Sequence, residues 1–242
     1  MEYTKAIIFS AAIVLSAFLL GNAYRSKYDA KGTIEVTGLG EKSFISDQIV
    51  WEGSFERQNM DLKSAYADIE QDKKMVEEYL SRNGVKAEDI IFNAVNTTTK
   101  LIPRYHSNGT YAGDDFGGYN LSISVQITSQ EVEKIEQLSR NITELLNSGI
   151  QFYSQPPRYY YTKLADLKIE LISKATEDAK TRINTISQVT GAKTRKLVDA
   201  QMGIFQITGK NSDEEYSWGG TFNTSSKEKK ASITMKLRYR AG

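Results

Sequence analysis

Cysteine is absent from the 242 residues, and histidine occurs once, at His106. Without thiols the chain forms no disulfide, thiolate zinc site, iron–sulfur cluster or cysteine nucleophile, and a single imidazole excludes a two-histidine metal site. Proline is nearly as scarce: Pro103, Pro156 and Pro157 are the only three, and no Gly/Ser-rich linker divides the chain. An excess of one charge sign is also missing, because 31 Lys plus Arg face 30 Asp plus Glu, a formal +1. The chain therefore has no overall basic field to hold a phosphate backbone, the sequence presents no concentrated basic run, and nucleic acid is not expected as a partner.

What the sequence does have is one long apolar run. Residues Ala6 to Leu20 read AIIFSAAIVLSAFLL, then Gly21-Asn22-Ala23 lead into a polar stretch from Tyr24 to Lys31. As helix, fifteen residues reach only ~22 Å against a bilayer core of ~30 Å, so spanning enlists Gly21 to Ala23 with Tyr3 and Tyr24 at the interfaces. Residues 1–30 read as an N-terminal signal anchor with its membrane contact at residues 6–23, or as a signal peptide cut after Ala23, where Gly21 and Ala23 are the small residues. A buried globular helix is the third reading of the same run. Lys5 precedes it while Arg25, Lys27 and Lys31 follow, a count that by itself argues against export.

Residues 31–242 read as one α+β domain. Ile49, Trp51, Gly53 and Phe55 alternate with polar neighbours, as do Tyr119 to Ile127 and Ala231 to Tyr239. One buried and one wet face suits a largely antiparallel or mixed sheet with helices on one side. Three helices show the other period: Leu62 to Leu80, stopped at Asn83-Gly84; Val132 to Leu145, ending before Gly149; and a seam from Leu164 to Val189, ended by Gly191. Strands are expected at Gly32 to Gln58 (two), Ile90 to Tyr105, Gly118 to Thr128, Ile150 to Tyr153, Lys196 to Thr208 and Lys229 to Arg240. Helices one and three each lead through a glycine and a basic residue into a strand, which suggests two related strand-helix-strand halves. The polar stretches 106–118 and 209–227 are expected as elongated hairpin tips.

No arrangement for catalysis, cofactor binding or metal binding emerges. His106 lies in a turn-like segment, and no G-x-S-x-G elbow accompanies it. Asp114-Asp115 lacks the spaced acids of a calcium loop. Gly38 and Gly40 lack the third glycine and helix of a dinucleotide loop and are read as turn glycines. The densest local signal is Phe152 to Tyr161, FYSQPPRYYY, whose prolines mark an edge or connector. Tyr153, Pro156, Pro157, Arg158, Tyr159, Tyr160 and Tyr161 are candidates for a subunit interface, with half-buried packing as the plainer account. Trp218 and Phe222, set among glycines, are candidates for binding a ligand or partner on a surface made by loops 106–118 and 209–227. An enzyme built on buried carboxylates is the third possibility.

Several of these segments, taken in order, resemble the SIMPL domain family, which includes bacterial periplasmic immunogenic proteins. They are Ile34-Glu35-Val36-Thr37-Gly38-Leu39-Gly40-Glu41, the strand Trp51 to Phe55, Asn83-Gly84, Asp89-Ile90, Pro103-x-Tyr105, and Ala175-x-x-Asp178-Ala179 leading to Gly191. The likeness extends from about Gly32 to Arg240. It implies an α+β fold, a location outside the cytoplasm despite the Arg25, Lys27 and Lys31 count, and, as in some relatives, assembly into hollow ring-like homo-oligomers. Stress tolerance and envelope integrity are processes linked to relatives. The family pattern carries no catalytic set, so no functional residue transfers. Arg182-Ile183-Asn184 departs from the alanine-rich continuation of the family, which bears on helix packing and assembly geometry.

Overall fold

A computed structural model of the chain describes residues 2–29 and 32–242. Lys31 and the domain boundary expected at residues 30 and 31 lie outside the described residues. The apolar run forms helix α1 (Glu2–Asp29). Within it Ile7–Arg25 is long and apolar enough to cross a membrane by length and composition, and every side chain of that span is exposed. No side chain of that span is buried against the rest of the protein, which removes the buried-helix reading.

Then follow β1 (Thr33–Ile45), β2 (Gln48–Asn59), α2 (Leu62–Arg82), β3 (Ile90–Phe92), β4 (Asn96–Tyr105) and β5 (Tyr111–Ser129). Next come α3 (Val132–Asn141) with a 3-10 continuation Ile142–Ser148, β6 (Phe152–Ser154), β7 (Arg158–Tyr160), α4 (Leu164–Thr190), β8 (Thr194–Met202), β9 (Gln206–Gly209) and β10 (Glu228–Ala241). The fold is α+β, and all strand pairings are antiparallel apart from one isolated bridge, Ile207 to Phe222.

Two sheets share the strands. In the first, β10 is central, with β1 on one flank from Thr33 opposite Arg240 to Ile45 opposite Glu228, and β8 and β9 on the other. In the second, β2 and β5 are central, β3 and β4 flank β5, and β6 and β7 flank β2. The period-2 pattern places Val36, Ile233 and Leu237 under α4, and Trp51, Phe55, Ile123 and Ile127 under α2 and α3. Both sheets have the order first strand, last strand, middle strand, β1-β10-β8 and β2-β5-β4, with a helix on one face.

β1 and β2 follow one path that passes from sheet to sheet at Ser46-Asp47. The corner is closed by Ser46 N–H donating to Lys227 C=O (3.0 Å) and Asp47 N–H to Tyr160 C=O (3.0 Å), while the Asp47 carboxylate accepts from Thr162 N–H (2.7 Å).

Four expectations need correction. Gly38 and Gly40 occupy no turn; both lie inside β1, facing α4. A Cβ on Gly38 would overlap the Ala175 carbonyl oxygen and Ala179 N, and one on Gly40 would overlap the Leu171 carbonyl oxygen. Helix and strand backbones meet there because neither side presents a bulky side chain. Second, the α4 seam is buried only to Ile183; Val189 is 81% exposed, so the last turns have no sheet beneath them. Third, the strand expected over Ile90 to Tyr105 is two strands, broken at residues 93–95, and the one expected at Lys196 to Thr208 is β8 and β9. Fourth, the stretch 106–118 is mostly strand: only residues 106–110 turn, and β5 begins at Tyr111.

Candidate functional site

The aromatic connector is largely a joint between the sheets. Phe152 packs on Trp51 and Phe55, with ring centroids 5.8 and 6.3 Å away, and Gly53 leaves the space its ring fills. Pro156 and Pro157 separate β6 from β7 on the edge of β2, and Gln155 N–H bridges the gap by donating to Glu52 C=O (2.9 Å). Tyr159 is buried, and its ring reaches Glu136 of α3, which also accepts from Lys227 (2.7 Å). The Lys227 ammonium holds the Glu136 carboxyl below its usual range, and burial raises the Tyr159 phenol. Tyr161 packs on Phe44 at 4.7 Å, inside the first sheet's core. Tyr160 and Pro157 are half-buried; Tyr153, Pro156 and Arg158 are exposed, with Tyr153 and Arg158 bonded to Glu56 and Glu52. Of the seven interface candidates only these last three are exposed.

Loop 209–227 is folded back on β9 rather than extended. Gln206 grips it from both sides, donating to Ser217 C=O (2.8 Å) and accepting from Thr221 N–H (2.6 Å). Glu214 accepts from Gly209 N–H (2.7 Å) and Asn223 Nδ2 (2.5 Å), and the Gly209 contact is the main reason its carboxyl sits below the usual range. Beneath lies Lys229, 2% exposed, donating to Asn223 C=O at 2.5 Å. Burial lowers its ammonium pKa to about 8. On this base Gly220, at φ 92°, lets the chain reverse, and Trp218 stands 95% exposed at the rim. Trp218, Tyr216, Met202, Ile204, Leu39 and Thr234 line a groove of about 580 Å³ on the sheet face away from α4. Phe222 is half exposed behind it, bridged to Ile207.

The β4–β5 hairpin is the third feature, and sequence reading missed its extent. Every residue of β4 is exposed; Thr97 meets Tyr66 Oη at 3.0 Å, Lys100 donates to Gln58 Oε1 of β2 at 2.9 Å, and among the described residues β5 is the only strand paired with it. Leu101, Ile102, Tyr105, Tyr111 and Phe116 are all 46% exposed or more along this arm. Its tip closes with His106 N–H donating to Thr110 C=O (2.8 Å) and Gly109 at φ 81°. His106 is an exposed tip residue, and Asp115 pairs with Arg104 across the arm at 3.7 Å. The signal available was the β-branched run Thr97-Thr98-Thr99; Gly113, Gly117 and Gly118 concealed the partner strand by reading as loop. No hydrogen bond or ion pair joins stretch 106–118 to loop 209–227 among the described residues, and the two belong to different sheets.

Among the described residues no three His, Asp or Glu side chains converge to hold a metal ion. Among known families, the model of SIMPL, protein of unknown function (DUF541), fits residues 34–239. No curated protein matches the chain.

Proposed function

The chain belongs to the SIMPL family, a membership that fits an envelope protein, and on that premise we propose a membrane-anchored, non-enzymatic scaffold that assembles with copies of itself. In this reading α1 anchors the domain in the inner membrane with residues 32–242 facing the periplasm; cleavage after Ala23 would instead release it. The β4–β5 hairpin is the observation that carries the assembly. A hairpin whose outer strand has no partner beyond β5 among the described residues, with three large apolar side chains on β4 and two on β5 about half exposed, is a surface that soluble proteins otherwise cover or blunt. A second copy of the chain is the partner always present. Light scattering of the detergent-solubilised full chain tests it: a mass of several chains is expected, falling towards one chain in the Leu101→Ser/Ile102→Ser variant, and a wild-type mass of one chain at all concentrations would refute it.

The Trp218 groove supports a second reading, a module that receives an apolar ligand or a protein side chain. An exposed indole at the rim of a groove of about 580 Å³, where Leu39, Met202 and Ile204 stand beside Gln201, Gln206 and Ser232, has the ingredients of such a pocket.

A further inference from the structure

The fold gathers cations that the sequence disperses. At one end of the first sheet, β8 begins beside the end of β10, with Thr194 opposite Ala241 and Leu197 opposite Tyr239. Two residues of β8, Arg195 and Lys196, thus stand against the single Arg240, an irregularity that crowds three cations together. With the exposed Leu197 and Val198 they line a cleft of about 410 Å³. Lys193 adjoins it, its carbonyl accepting from Gly242 N–H (2.8 Å). Two acidic side chains stand close by, and both are engaged: Glu35 by Lys236 (2.7 Å) and Asp199 by Arg238 (3.6 Å); the Gly242 backbone packs against the Arg195 guanidinium. Among the described residues Lys193, Arg195, Lys196 and Arg240 form no ion pair, although most of the molecule's other sheet-borne cations do.

Connectivity decides what this end meets. Helix α1 ends at Asp29, and Gly32 C=O already accepts from Ala241 N–H (2.7 Å), with Thr33 opposite Arg240. Three Cα steps span at most about 11 Å, so the cluster cannot stand far from the exit of α1. From the end of the apolar span at Arg25 four more helical residues add ~6 Å, so the reach from the membrane is ~17 Å, about two Debye lengths of ~8–10 Å at physiological salt, and the cluster meets lipid phosphates when the domain leans towards the membrane. The segment between adds Arg25, Lys27 and Lys31 against Asp29.

We infer that the cleft formed by Arg195, Lys196 and Arg240 docks the domain on the anionic phospholipid headgroups of the membrane that holds α1, with Leu197 and Val198 meeting the interface beneath them. The inference rests on the anchored reading above. Docking would fix the domain's tilt and so present the hairpin of every copy at one height over the membrane.

The absence of cysteine makes the test clean. The full chain with Val198→Cys, labelled with an environment-sensitive fluorophore, is reconstituted in phosphatidylcholine vesicles with or without phosphatidylglycerol, each carrying a spin-labelled headgroup quencher. Quenching is expected with phosphatidylglycerol only, is lost at high salt, and weakens about fivefold for each cation removed in Arg195→Gln, Lys196→Gln and Arg240→Gln. A Thr143→Cys label on the second sheet's 3-10 turn should stay unquenched. Equal quenching in both lipids, or no quenching in vesicles that carry the protein on flotation, overturns the docking and leaves the anchor standing. Relief of quenching by inorganic phosphate at constant ionic strength assigns the cleft to a free anion and likewise overturns it. Failure of the chain to float with vesicles removes the anchor, and the docking with it.

Discussion

Gly38 decides how closely α4 approaches its sheet. Leu39 N–H, on the open edge of β1, donates to Asp178 of α4 at 2.8 Å, and Arg182 holds the same carboxylate at 2.9 Å. The bond depends on the helix backbone lying almost on Gly38 and Gly40. Gly38→Ala should therefore destabilise the domain by about 1–3 kcal/mol, the usual result of overfilling a packed core, read as a lower urea midpoint. Trp218 is the opposite case. At 95% exposure Trp218→Ala should shift stability by no more than about 0.5 kcal/mol, and a larger loss in a thermal melt would give the indole a structural task. The Thr37-to-Glu41 and Ala175-to-Ala179 segments were both visible in the sequence as separate signals. That they touch was not, because a strand glycine facing a helix and a turn glycine are the same letter, and Asp178, which accepts from Leu39, lies 139 residues away from it.

Elements were legible where one local period ruled them. α2 kept its expected stop at Asn83-Gly84 and α4 its stop at Gly191, with the α4 stripe holding as far as Ile183, and β10 kept its alternation from Ala231 to Tyr239. The β4–β5 arm was legible in part: the strand to Tyr105 and the hairpin connection were expected, but the start of β5 from Tyr111 was read as loop, because with neither face buried there it has no hydrophobic alternation to display. Loop 209–227 hid its order for another reason: polar side chains fold it, and such contacts have no period. Lys229 beneath that loop carries a pH signature. Its folded pKa, about 8, lies below the ordinary 10.5 of an unfolded lysine, so above pH 8 the unfolded chain holds the extra proton and stability rises with pH. The gain should be up to about 2 kcal/mol between pH 8 and pH 9.5, before tyrosines titrate, and Lys229→Met should flatten it in denaturant melts at the two pH values. The phenols of Tyr79 and Tyr159 are raised by burial and stay out of that window.

For the molecule as a whole, the antiparallel α+β class followed from composition and alternation, whereas the division into two sheets did not. A chain whose β1 and β2 belong to different sheets across a two-residue corner looks, in sequence, like an ordinary hairpin. The junction is held by groups from both halves, with Glu136 of α3 receiving Lys227 and Tyr159 together. What the two sheets leave uncovered is the hairpin, and assembly through it is the claim on which the proposed function stands. The most direct test places Ile102→Cys in the otherwise cysteine-free full chain and treats native membranes with a short bismaleimide. The account predicts bands at multiples of the 27.2 kDa chain, with Thr143→Cys giving little or none. A single-chain band alone for Ile102→Cys, under conditions where its thiol is fully labelled, would contradict it.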